Sequence, residues 1–80
     1  MDIHHLVKMA NEIAAFFESE PDRSVVEESI ASHLKRFWDP RMRRQLLESI
    51  DAGTAVGLKP VVSEAVRARR AQFLPPARPA

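Results

Sequence analysis

Along the first quarter of the chain, apolar residues recur at Ile3, Leu6, Val7, Ala10, Ile13, Ala14 and Phe17, the three-and-four spacing of one helix face. With Asp2 as N-cap, the pattern predicts a first helix over residues 3–18. Met9 and Phe16 lie off this stripe, seven positions apart and therefore near each other on a second face, so the helix is expected to be wet on only part of its circumference. Residues 18–22, with Pro21, break the period and read as a short loop.

Ser24 followed by Glu27 has the spacing of a capping box, which places the start of a second helix at Ser24. Its stripe is Val26, Ile30, His33, Leu34, Phe37 and Trp38, and Lys35 and Arg36 fall in the last turn, where positive charge complements the free carbonyls. Pro40 disfavours helical backbone at Asp39, so this helix is expected to stop at or before Trp38. The same extended geometry suits an N-cap, and Asp39 with Pro40 at the first helical position predicts a third helix starting there. Met42, Leu46 and Ile50 fall on one line of it with Leu47 beside them, and Gly53 is its terminator. After a loop over residues 51–59, Pro60 opens a fourth helix with Val62, Ala65, Val66 and Phe73, running to about residue 72. The expectation is an all-α, single-domain bundle of three to four short helices over residues 1–73. The tail LPPARPA, residues 74–80, has three Pro in seven positions and is expected to be disordered unless a partner orders it.

Composition narrows what such a bundle can do. Eighty residues bury only about 60% of the surface the unfolded chain exposes. A core of that size rarely supplies more than about 3–5 kcal/mol, and small domains lean on disulfides, metals or partner chains. There is no Cys, so disulfides and thiolate metal sites are excluded and a partner chain is the remaining support. No apolar run reaches the ~18 residues of a membrane span, and the N-terminus lacks a signal-peptide pattern, which together point to the cytoplasm. The net charge of +1 hides a division: residues 1–34 sum to −5, residues 35–44 to +4 and residues 45–80 to +2.

Candidate chemistry is sparse. His4 and His5 are adjacent and point about 100° apart on a helix, so they do not chelate one ion together. His33 has no Ser, Asp or Glu at a pairing distance along the sequence, which favours a core or interface histidine over a base. Glu27 and Glu28 belong to the first turn of a helix, Glu27 as the capping residue. Glycine-rich phosphate loops, HExxH and nucleophile elbows are all missing, and no enzyme activity, cofactor or metal is expected of this chain.

The basic cluster of residues 35–44 admits a helix-turn-helix reading with arginines on phosphates. Against it stand a joint tighter than the usual three or four residues, a leading half of helix three with only Gln45 to read base edges, and an acidic first half of the chain. The stronger reading is a protein interface built from His33, Phe37, Trp38, Arg41, Met42 and Arg43, because Trp and Arg are the types most enriched at binding hot spots. Two bulky neighbouring rings at a helix end do not both fit one small core. One of Phe37 and Trp38 is therefore expected inside and the other against a partner.

These residues also resemble a known family. LVKMANEIAAFF (residues 6–17), HLKRFWDPRMRRQL (residues 33–46) and GLKPVVSEAV (residues 57–66) are similar to the delta subunit of cytoplasmic, NAD-dependent, molybdenum-containing formate dehydrogenases, with FWDPRMR the specific part. The resemblance implies a non-catalytic accessory subunit that assists assembly or stability and docks on the large subunit. In that family the molybdenum pterin and iron-sulfur clusters belong to the large subunit, and flavin and NAD reduction to other subunits. An isolated chain of this kind is also a candidate for self-association, which hides a partner surface left bare.

Overall fold

A computed structural model describes residues 2–73 and consists of α1 (Ile3–Phe17), α2 (Arg23–Phe37), α3 (Pro40–Ala52), α4 (Pro60–Ala68) and a final single turn, α5 (Arg70–Phe73). The expectation of an all-α bundle is met, and the tail at residues 74–80 lies outside the described residues. α2 packs against all the other helices and most extensively against α4. Leu6, Ala10 and Ala14 of α1, Val26, Ile30 and Leu34 of α2, Leu46, Leu47 and Ile50 of α3, and Val61, Val62, Ala65 and Val66 of α4 close one core.

The helix starts follow from their caps. Asp2 accepts a hydrogen bond from the His4 amide at 2.9 Å, as its sequence position predicts. At α2 the capping box does not form. Asp22 is the N-cap, its carboxylate accepting from the Ser24 amide at 3.0 Å, so Ser24 lies inside the first turn. Asp22 wins because an aspartate adds charge to the same hydrogen bond at the positive end of the helix. Glu27 is thereby released to pair with Arg23 at 3.4 Å and with Arg69, also at 3.4 Å, which ties α2 to the end of α4.

The corner between α2 and α3 has the predicted form. Trp38 (φ −94°, ψ 139°) and Asp39 (φ −72°, ψ 162°) are extended. Asp39 then caps α3 by accepting from the amides of Arg41 at 2.8 Å and Met42 at 3.0 Å, with Pro40 behind it. α3 ends at Gly53, whose φ of +74° is the left-handed conformation that a glycine adopts without a Cβ penalty.

The fourth helix is shorter than its apolar pattern suggests. It stops at Ala68 because Arg69 leaves helical geometry (φ −118°, ψ 32°). The Arg69 guanidinium meanwhile engages Glu27 and the Ser24 carbonyl. The chain then makes the single turn of α5, which buries Phe73 to 1% exposure against α2.

Candidate partner interface

Extended backbone at Trp38 decides the fate of the two neighbouring rings. Phe37 is the last helical residue and follows the rim of α2, so it stays 68% exposed. One residue later the chain leaves the helix and the indole swings inward to 5% exposure. The division between an inner and an outer ring is therefore the one the crowding argument requires, with Trp38 inside.

Phe37 stands at one end of a row of rings. Its ring centroid lies 4.6 Å from that of His33, one helical turn earlier in α2. His33 lies 6.0 Å from Phe17 of α1 in an edge-on arrangement, and Phe17 lies 5.1 Å from Phe16, again edge-on. Edge-to-face contacts at these separations are favourable pairings for aromatic quadrupoles. Arg36 places its guanidinium 5.8 Å from the centre of the Phe37 ring. Phe16 at the other end is 78% exposed.

The row spans two adjoining depressions. Met9, Glu12, Ile13, Phe16, Phe17 and His33 line a mostly apolar cleft of about 390 Å³. A second cleft of about 230 Å³ shares Phe17 and His33 and continues to Ser29, Ser32, Arg36 and Phe37. Large exposed apolar surface rimmed by polar residues is the usual mark of an interaction site.

The six residues singled out in the sequence separate in space. His33 and Phe37 lie in the aromatic row, Arg41 is exposed, and Met42 is half-buried against the core. Trp38 and Arg43 are buried, Arg43 at 8% exposure. One guanidinium nitrogen of Arg43 donates to the Phe73 carbonyl, while Nε has no partner. Of the six, His33 and Phe37 line the aromatic clefts, to which α1 adds Met9, Ile13, Phe16 and Phe17. Those four were not read as a site from the sequence. The sequence sets Met9 and Phe16 on a second face of α1 and Ile13 and Phe17 on its main stripe, and only the packing of α1 against α2 brings the four together beside His33.

The basic cluster also divides. Arg43 is buried, whereas Lys35, Arg36, Arg41 and Arg44 are exposed and take part in none of the ion pairs among the described residues. The described residues contain no grouping of three or more His, Cys, Asp or Glu able to hold a metal ion. None of the described helices is long and apolar enough to cross a membrane.

Residues 5–66 match the family model described as NADH-dependent formate dehydrogenase delta subunit FdsD. The chain belongs to that family. The match spans most of α1, all of α2 and α3 and most of α4, so both walls of the aromatic cleft and the Trp38–Asp39 corner lie inside the family region. Comparison with curated proteins returned no match. Comparison with solved structures likewise returned none.

Proposed function

We propose that the chain is a non-catalytic accessory subunit of a cytoplasmic NAD-dependent formate dehydrogenase, holding no cofactor of its own and supporting the assembly or stability of the large molybdenum-containing subunit. The supporting observation is the pair of exposed rings, Phe16 and Phe37, at the ends of an aromatic row whose inner members Phe17 and His33 are half-buried, on the chain of a family defined as a complex subunit. Rings left in water on so small a domain forgo burial worth about 1.5–3 kcal/mol each, an arrangement that fits a surface completed by another chain. Aromatic side chains in such a position are the usual anchors of a hot spot. The duplex-binding reading gains nothing from the fold, since Arg43 is turned inward and Asp39 sits as a helix cap in the middle of the cluster.

Co-expression with the other subunits tests this reading. Phe37→Ser is expected to reduce co-purification with the large subunit and to lower the yield of assembled complex. The isolated chain is expected to show no formate oxidation. A complex of normal yield and activity in cells lacking this chain would refute the accessory role.

A further inference from the structure

We infer that the basic corner between α2 and α3 docks on a carboxylate-rich surface of another chain in the assembly, with Lys35, Arg36, Arg41 and Arg44 as its contacts. The inference rests on the accessory-subunit reading and names the chemistry of the partner.

The pairing of charges sets these cations apart. Arg23, Lys59, Arg69 and Arg70 each hold a carboxylate, Arg67 donates to the Ile50 carbonyl, and Arg43 donates to that of Phe73. Lys35, Arg36, Arg41 and Arg44 are exposed, and none of them joins an ion pair among the described residues. Arg36 lays its guanidinium 5.8 Å from the centre of the Phe37 ring, a contact that leaves its N–H donors free. Asp39 is the one carboxylate within residues 35–44, and the Arg41 and Met42 amides already occupy it. Arg41 and Arg44 stand three apart on α3 and therefore share a face of that helix. Glu48, one turn beyond Arg44, forms no ion pair with it.

Folding alone does not account for this arrangement. Lys35 and Arg36 complement the carbonyl end of α2, but Arg41 lies in the first turn of α3, where the helix dipole disfavours a cation. Like charges on both sides of a two-residue corner add repulsion. A carboxylate-rich surface reverses both effects, since a guanidinium takes a carboxylate through two parallel charge-assisted hydrogen bonds. A second copy of this chain does not supply such a surface. Its carboxylates cap helices or hold cations, except for Glu12, Glu20, Glu28 and Glu48, which stand apart on α1, the loop after it, α2 and α3. Nucleic acid presents an unbroken line of phosphates to the fixed Asp39 carboxylate in the middle of the corner. A protein surface sets its carboxylates on either side of it.

The test uses the complete co-expressed complex, isolated through a tag on another subunit, and measures how much of this chain it retains. Arg41→Glu is expected to lower retention about tenfold at low salt. Lys8→Glu makes the same change of charge at an exposed, unpaired cation of α1 and is expected to stay within about twofold of the unmodified chain. An acid in the first turn of α3 suits the helix dipole, so isolated Arg41→Glu is expected to melt no lower than the unmodified chain, which separates lost docking from lost folding. Carbodiimide coupling of the unmodified complex is expected to join Lys35 to an Asp or Glu of another chain. Equal retention of Arg41→Glu and Lys8→Glu, or coupling of Lys35 to a second copy alone, would overturn the acidic partner and leave the accessory role standing. Salt-sensitive retention on duplex DNA that Arg41→Glu abolishes, with the complex still assembling from that variant, would assign the corner to nucleic acid instead. Failure of the unmodified chain to enter any complex would remove the accessory role itself.

Discussion

Asn11 of α1 holds both sides of Leu58 in the loop before α4: its side-chain amide donates to the Gly57 carbonyl at 2.9 Å, and its carbonyl accepts from the Lys59 amide at 2.9 Å. Lys59 is the N-cap position of α4 and has no side chain of its own able to cap the helix, so Asn11 satisfies an amide from another element. Nearby, the Lys59 ammonium pairs with Glu18 at 2.7 Å, a second tie between α1 and this loop.

Asn11→Ala is therefore expected to destabilise the chain by about 1–2 kcal/mol, two hydrogen bonds at about 1 kcal/mol each with part of the cost relieved by water. In a domain of this size that lowers the melting temperature by roughly 4–8 °C per kcal/mol. Asn11→Asp keeps the acceptor for Lys59 but sets a carboxylate against the Gly57 carbonyl, and is expected to be no more stable than the alanine variant. Thermal unfolding followed by circular dichroism separates these outcomes.

Phe37 and Trp38 are adjacent and are expected to respond in opposite ways. Trp38→Ala removes a buried indole, a change costing about 3–5 kcal/mol, which equals the stability a core of this size supplies. The isolated variant should lose its cooperative thermal transition. Phe37→Ser, at an exposed ring, should change stability by no more than about 0.5 kcal/mol and weaken association with the complex by about 2 kcal/mol, roughly 30-fold. Equal loss of stability in both variants would place Phe37 in the core.

Much of the fold was legible because its signals are local. Asp2, the Asp39–Pro40 pair, Gly53 and Pro60 act through bonds to their own segment, and each marks a helix end where its chemistry requires one. The misreadings arose where distant residues intervene. Ser24 with Glu27 has the spacing of a capping box, but Asp22 stands two positions earlier and Arg69, 42 residues away, takes the Glu27 carboxylate. The end of the fourth helix was equally hidden, since the same Arg69 contact accompanies its break. At the site, the sequence pointed to Phe37 and His33 but had no means of setting Phe16 and Phe17 beside them, because that contact depends on how α1 lies on α2.

Arg43 is a buried cation whose partner is a carbonyl rather than a carboxylate, and that carbonyl belongs to Phe73. Arg43→Met keeps an unbranched side chain and removes the donor. A lost hydrogen bond from a charged group costs about 1.5–3 kcal/mol, offset in part because no charge then remains buried. The expected global loss is about 1 kcal/mol, with the effect concentrated in α5. Amide exchange at residues 70–73 should accelerate while the middle of α1 keeps its protection. Uniform acceleration across all helices would show that Arg43 supports the whole core instead.

Acid should loosen the same end of the molecule through Asp51. Arg70, the first residue of α5, donates to both carboxylate oxygens of Asp51 near the end of α3, at 3.2 and 2.7 Å. That hydrogen bonding is the largest effect and holds the Asp51 carboxyl below its ordinary value against desolvation, with the charges of Arg70 and then Arg67 adding smaller contributions. A carboxyl depressed by folding contributes stability that is present above its unfolded value and is lost as pH falls through the folded one. The pair is exposed and salt weakens it, so the contribution is expected to be small and to shrink further at high ionic strength. Asp51→Asn should accordingly flatten the acid limb of the stability profile below the usual carboxylate range, with little change near neutrality beyond the loss of the pair. Urea unfolding of both forms across that range, at low and high salt, provides the comparison, and identical acid limbs would show that the Arg70 pair does not contribute to folding.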